Sequence, residues 1–274
     1  MTPFHMPGSK VVKATAKTAL TDRKTEATIV SLFGVFCFLI ASLISSLISA
    51  NEGKFFEILS RSVSILFSVF VIAPVLLGIT RFFWRMTDGM KDSISSVFYY
   101  FGSRKQYFRA FKLTLVLFFR IVTVLFVCLL PYGIVSVISG SGLYQFLGFD
   151  IPLWAPNLIL IKSFLYILGV SVAILVVSRY YLAPVLVVMN EELLLLEAVH
   201  ISSMVSKKSL VSFISLIFSL ILWIALSVFL IPAVYTLPFV FVCYVVHCRF
   251  AITNYNLLIE NFENDMSGYY YEKE

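Results

Sequence analysis

The feature that most constrains this chain is a series of long apolar runs separated by short charged segments. Apolar residues make up 60% of the 274 residues and charged residues only 13%, against roughly 45–50% and 25% in soluble domains. A soluble globule of this length cannot bury so much apolar surface in one core, whereas a bilayer solvates it. The sequence therefore predicts an all-α, polytopic transmembrane helical bundle.

Six of the apolar runs have the length of a membrane span. They cover approximately residues 27–50, 62–84, 113–138, 158–183, 210–231 and 237–252. The first run is longer than the core of a cleavable signal peptide, which favours a retained span. We therefore divide the chain into three parts. These are a basic cytoplasmic segment at 1–26, a six-span membrane domain at 27–253 and an acidic cytoplasmic tail at 254–274, which we expect to be disordered.

The distribution of positive charge predicts the orientation of the chain. Of the 21 lysines and arginines, seventeen fall on the side of the N-terminus, three fall on the opposite side, and Arg120 lies within the third span. Lysine and arginine are enriched on the cytoplasmic side of membranes, so both termini are predicted to be cytoplasmic. The cations cluster at span ends and do not form one continuous stripe, which argues against nucleic-acid binding.

Ionisable side chains inside spans are candidates for function. Arg120 lies roughly 12 Å from the predicted cytoplasmic edge of its span, at about 1.5 Å per helical residue. It either extends to the interface or faces the bundle and meets a lipid phosphate or a carboxylate such as Glu191 or Glu192. Arg179, near the cytoplasmic end of the fourth span, is expected to reach the interface.

The tetrapeptide Ala-Pro-Val-Leu occurs at 73–76 and again at 183–186, and it includes Pro74 and Pro184. Each copy lies near the cytoplasmic end of a span and leads into a charged connector and another span. A proline inside a span frees a carbonyl, so we expect a bend at Pro74. The pattern indicates a parallel internal repeat about the membrane normal. Alternatively, the tetrapeptide recurs by chance in a chain rich in valine and leucine.

The two cytoplasmic connectors differ in charge. The first, at 85–112, alternates aromatic residues with cations and is expected to lie on the membrane surface. We predict that it contacts anionic lipid through Arg104, Lys105, Arg109 and Lys112. The second connector, at 184–209, carries the carboxylates of Glu191, Glu192 and Glu197. We expect at least one of these carboxylates to lie near a cation of the bundle.

The second connector also carries a family resemblance. It combines Tyr-Tyr-Leu-Ala-Pro at 180–184, Asn190, and Glu-Ala-Val-His-Ile-Ser at 197–202. This order resembles an uncharacterised family of bacterial six-span integral membrane proteins, a domain of unknown function. That family is distantly similar to the membrane domain of some glycerophosphodiester phosphodiesterases, whose catalytic domain has no counterpart here. Met189 and Glu191 replace the aspartate and proline of the family pattern. The resemblance implies a bacterial inner membrane and a fold, but no activity.

No catalytic, cofactor or metal motif emerges from the residue pattern. The cysteines and histidine at 243–248 offer at most two ligands at once, whereas a metal site needs three or four. Glu197 and His200 fit a solvated connector better than an acid–base pair.

We therefore favour a non-enzymatic accessory, assembly or scaffolding protein without a cofactor. Its predicted partners are anionic membrane lipids and either another membrane protein or a second copy of itself. A transporter or permease-like subunit for a small or lipid-like solute is the alternative, and an intramembrane enzyme is a third possibility without supporting residues.

Overall fold

A computed structural model describes residues 6–49, 53–140 and 157–271, and within this part the chain is all-α. The α-helices are α1 (Ser9–Thr21), α2 (Lys24–Ser49), α3 (Lys54–Phe67), α4 (Ala73–Thr87), α5 (Arg104–Gly140), α6 (Asn157–Val177), α7 (Ala183–Met189), α8 (Leu195–Leu226) and α9 (Leu230–Tyr271). A π-helix at Ser68–Ile72 joins α3 to α4, and 3-10 helices occupy Ile94–Phe101 and Ser178–Tyr180.

Six helical segments are long and apolar enough to cross a membrane, which confirms the predicted number of spans. They are Lys24–Ile48, Lys54–Thr87, Arg104–Val137, Leu160–Met189, Leu195–Leu226 and Pro232–Leu257. The segments are longer than the apolar runs because amphipathic connector residues continue the helices. The fifth, for example, begins at Leu195 and includes fifteen residues that the sequence assigns to a connector. Residues 141–156, between the third and fourth spans, lie outside the described part.

Both ends of the chain contain helix that the sequence analysis did not predict. In α1 the apolar residues Val12, Ala16 and Leu20 recur every four positions, lie on one face and are buried. At the other end the expected disordered tail is wrong, because α9 remains helical to Tyr271. Extending an existing helix adds one hydrogen bond per residue and avoids the cost of nucleation, so polar residues can follow the sixth span in helical form.

The two Ala-Pro-Val-Leu copies occupy matching local structures. Each opens an α-helix, α4 or α7, and places its proline in the first turn; α4 directly follows the π-helix, and α7 follows the 3-10 helix after a two-residue turn. A π-helix at Ser68–Ile72 precedes Pro74, and the bend expected there stays a prediction. Pro74 has no N–H to donate to the carbonyl of Phe70, and the Tyr107 hydroxyl donates to that carbonyl at 3.0 Å. This shared start supports the repeat, whose symmetry axis stays a prediction.

The described chain divides into two compact units. The first comprises Met1–Leu115 and Leu182–Glu274, and the second comprises Val116–Tyr181. The core of the first unit joins α1, α2, α4, α8 and α9, and includes Val12, Val30, Ile79, Phe83 and Val246.

In the second unit, Gly169 lies against the backbone of Cys128, where an added Cβ would stand 2.6 Å from the carbonyl oxygen. Most of the large apolar side chains of this unit are exposed, as suits contact with lipid.

Helix α9 crosses one end of the α2–α4 hairpin obliquely. The Thr28 hydroxyl, in the second turn of α2, donates to the Val234 carbonyl at 3.3 Å. Arg249 donates to the carbonyl of Thr87, the last residue of α4, at 2.6 Å. Thr28 and Thr87 lie at the same end of the hairpin. Their partners on α9, Val234 and Arg249, are fifteen residues apart, which corresponds to about 22 Å along the helix axis. The sixth span is therefore strongly tilted relative to α2, which hydropathy does not indicate.

Candidate functional site

The two connectors meet in the first unit at a group of polar residues, which we call the connector cluster. Its side chains come from the last two turns of α4, the 3-10 helix at Ile94–Phe101, the start of α5 and the turn after α7. The members of the connector cluster are Arg81, Tyr99, Tyr100, Arg109, Asn190 and Glu191.

A glycine brings the first connector against α4. At Gly78 an added Cβ would stand 1.9 Å from the carbonyl oxygen of Val97, so the 3-10 helix touches the backbone of α4. Val97 and Tyr100 point into this contact and are 1% and 2% exposed. The hydroxyl of Ser93 accepts a hydrogen bond from the Ser95 N–H and caps the 3-10 helix. Only glycine permits this approach, which places Tyr99 beside Arg81.

Arg81 links the first span pair to the second connector. Its side chain is 8% exposed, and its Nη1 lies 2.6 Å from Oε1 of Glu191. The Tyr99 ring lies 3.4 Å from the guanidinium carbon, and the Tyr99 hydroxyl donates to the same Glu191 oxygen at 2.7 Å. A buried arginine needs such compensation because desolvation opposes its charge. The expected proximity of a connector carboxylate to a cation is thus confirmed, with Arg81 as the cation.

Arg109 holds the turn between α7 and α8. Its Nη2 donates to the carbonyls of Asn190 and Leu193, at 2.8 and 3.0 Å. The Asn190 side chain accepts a hydrogen bond from the Glu192 N–H at 2.9 Å, which shapes the turn from inside. Arg109 therefore joins the first connector to the second, in addition to the lipid contact predicted for it.

The cluster shifts the acidities of its own members. Hydrogen bonding to Arg81 lowers the pKa of Glu191 below its usual value, against the effect of partial burial. Burial raises the pKa of Tyr99, and the hydrogen bond to Glu191 adds to this effect. Burial also raises the pKa of Tyr100 to about 12. At neutral pH the carboxylate is therefore charged and both phenols are protonated.

Three buried polar atoms of the cluster have no protein hydrogen-bond partner. They are the Nε atoms of Arg81 and Arg109 and the hydroxyl oxygen of Tyr100. Buried polar atoms normally have hydrogen-bond partners. The packing of the connector cluster therefore holds these three side chains in place without satisfying all of their hydrogen-bonding atoms.

A second set of arginines clamps the turn that follows α4. Arg85 bonds to Asp92 at 3.2 Å, Arg23 donates to the Asp92 carbonyl, and Arg249 pairs with Asp88. These cations come from α4, the α1–α2 junction and α9. The first connector is thus held from three sides as well as by the cluster.

Other predicted residues remain at the surface. Arg104, Lys105 and Lys112 are exposed on the first turns of α5. At 100° per residue their directions fall within an arc of roughly 100°, so they share one face. Glu197 is exposed in the first turn of α8, where a carboxylate favourably meets the helix dipole. Lipid contact stays a prediction for this face.

In the second unit, the structure places Arg120 beside an aromatic ring. Arg120 is exposed on α5, and its guanidinium carbon lies 5.8 Å from the centre of the Tyr180 ring. Arg179 is exposed in the neighbouring 3-10 helix. The Tyr180 contact is compatible with a side chain extended along the helix towards the interface.

The residues that could bind metal do not form a site in the described part of the chain, where no three His, Cys, Asp or Glu side chains converge. Cys243, His247 and Cys248 are buried in the packing of α9.

Sequence analysis missed Gly78, Arg81 and Tyr99 as members of the site. Arg81 was counted only as a cytoplasmic cation, although it lies within an apolar stretch, where an arginine requires a partner.

Comparison with known protein families finds no family that matches this chain. No curated protein and no solved structure matches it either. The resemblance of residues 180–207 to a bacterial six-span family therefore stays a prediction, and the fold and the site rest on the structure itself.

Proposed function

We propose that this polytopic membrane protein is a non-enzymatic scaffold of a bacterial inner membrane, with both termini in the cytoplasm. The observation that carries the proposal is the locking of the two connectors by Arg81, Glu191 and Arg109. A surface held by charged side chains from several helices keeps one shape, which suits binding to a partner or to lipid more than gating. The transporter alternative requires one of these contacts to open during each cycle.

The basic face of α5 is the proposed lipid-contacting part of this surface. Arg104, Lys105 and Lys112 surround Phe108, which is 43% exposed. Juxtamembrane cations interact with anionic leaflets by about 1 kcal/mol each, so three favour anionic lipid by about 3 kcal/mol, or roughly 150-fold. The exposed phenylalanine inserts among acyl chains while the cations meet phosphates.

The lipid preference is tested with a fluorophore on a cysteine at Gln106, in bilayers that contain brominated phosphatidylglycerol or brominated phosphatidylcholine. We expect phosphatidylglycerol to quench the fluorophore more strongly, and R104Q/K105Q/K112Q to abolish the difference. The control K54Q/R61Q/K162Q removes the same charge on the predicted opposite side and should preserve it. Equal quenching by both lipids in the unaltered protein would refute the lipid contact.

The orientation is tested by cysteine labelling from each side of the membrane. Cysteines at positions 10 and 265 should react only from the cytoplasm, and a cysteine at position 145 only from the outside. Reaction of position 265 from the outside would contradict the proposed topology. Solute uptake by proteoliposomes, abolished by cross-linking the connectors, would favour the transporter.

A further inference from the structure

A groove of about 660 Å³ in the first unit lies away from the connector cluster. It is bounded by α1, α2, α8 and α9, and its lining includes Lys17, Lys24, Ile29, Trp223 and Phe239. Its volume falls within the range of roughly 300–1,000 Å³ that is usual for small-molecule sites. We propose that this groove binds one anionic phospholipid of the surrounding leaflet, with the phosphate at the two lysines and an acyl chain along the aromatic wall.

The polar end of the groove is cationic. Lys17 lies in the last two turns of α1 and Lys24 is the first residue of α2, and both are exposed beside Thr25. The positive end of the α2 dipole adds to their charge. Of the two nearby carboxylates, Glu26 is paired with Arg23, and Asp22 is exposed at the end of α1 and does not line the groove. The lysines thus face the groove mouth with no lining carboxylate to neutralise them.

The other end of the groove is apolar and aromatic. The Trp223 ring packs against Phe239 at a tilt, with ring centroids 5.4 Å apart, and remains 41% exposed. Ile29 is 46% exposed and Tyr235 is 74% exposed on the same walls. Tryptophan and tyrosine favour the interfacial depth at which headgroups meet acyl chains. These walls offer an acyl chain continuous apolar contact.

The oblique course of α9 explains why the two ends meet. Val234, at its start, lies against Thr28 in the second turn of α2, only one turn from Lys24. The aromatic wall therefore lies beside the lysines. Free phosphate would use only the cationic end, and a neutral lipid only the apolar end. An anionic phospholipid matches both, which is why we assign the groove to it.

The test measures quenching of Trp223 by brominated phosphatidylglycerol in the full-length variant W84F/W154F, purified in detergent. We expect saturable quenching, and K17Q/K24Q should weaken the affinity about 30-fold, since each juxtamembrane cation contributes about fivefold. The control K10Q/K91Q removes two exposed lysines outside the groove and should leave the affinity unchanged. R104Q/K105Q/K112Q should also leave it unchanged, which separates this groove from the basic face of α5.

A second variant tests the acyl-chain end without changing charge. Ile29→Gln places an amide on the apolar wall and should weaken phosphatidylglycerol binding severalfold. The proposal is overturned if phosphatidylcholine quenches Trp223 with equal affinity or if K17Q/K24Q binds phosphatidylglycerol normally. It is also overturned if millimolar inorganic phosphate displaces the lipid completely while I29Q has no effect, because the site would then be one for free phosphate.

Discussion

Gly78→Ala is the sharpest test of how the first connector packs. The new Cβ would stand 1.9 Å from the Val97 carbonyl oxygen, whereas real Cβ contacts essentially never fall below 3.0 Å. The oxygen must therefore retreat by about 1.1 Å. Because Val97 and Tyr100 are both buried, the 3-10 helix has to move as a whole. That movement also carries the Tyr99 hydroxyl away from Glu191.

Two terms set the size of the effect on connector docking. Overpacking of a close contact costs about 1–3 kcal/mol, and weakening the Tyr99–Glu191 hydrogen bond adds about 0.5–1.5 kcal/mol. The helical preference of alanine over glycine does not enter, because α4 is helical whether or not the connector is docked. We therefore expect Gly78→Ala to destabilise connector docking by about 1.5–4.5 kcal/mol.

The measurement is the reaction rate of a cysteine at Val97 with a soluble maleimide, in a protein without its native cysteines. Val97 is 1% exposed, so the cysteine reacts only when the connector leaves α4. The expected destabilisation corresponds to a rate increase of roughly tenfold at least and roughly 2,000-fold at most. Gly133→Ala is the control, because a Cβ at that helical position meets nothing within 4 Å. If the Gly78→Ala rate equals that of the control, the 3-10 helix does not pack on α4 in this way.

Three further measurements address the cluster and the π-helix. Because the lowered pKa of Glu191 makes its pairing favourable above pH 4.5, the rate of the same cysteine divided by that of a fully exposed cysteine, which cancels the pH dependence of the thiolate, should rise as the pH falls below that value, and this rise should disappear in E191Q. The difference in phenolate absorbance between the unaltered protein and Y100F should show Tyr100 ionising only near pH 12, and the stability of docking should fall between pH 10 and that value; a difference that appears near pH 10 would contradict the burial of Tyr100. Tyr107→Phe removes the donor to the Phe70 carbonyl and should lower the unfolding free energy in detergent by about 1 kcal/mol, and an unchanged thermal midpoint would show that the bond contributes nothing.

Part of the candidate site was predictable from residue types. The carboxylates at 191–197 lie in a short polar segment between two apolar spans. A charge close to a membrane is costly unless it is paired, so a cationic partner was expected. The identity of the partner was not predictable, because Arg81 and Glu191 are 110 positions apart in the chain. The partner of Arg109 was not predictable either. Its residue type and position fit a cation that faces lipid, but its side chain donates hydrogen bonds to the turn at 190–193.

The sequence by itself determined that the chain lies in a lipid bilayer, that it is all-α and that six of its segments are long enough to cross the membrane. These properties follow from the length and composition of contiguous stretches, since a span in lipid satisfies its backbone hydrogen bonds within itself. It also determined that Pro74 would disturb its helix, because the missing N–H is a local property. Tertiary structure alone decided that the Tyr107 hydroxyl donates to the Phe70 carbonyl, how far α9 tilts, and that α1 packs on the bundle. Those outcomes depend on contacts between distant segments, such as Gly78 with Val97 and Thr28 with Val234, which no local pattern records.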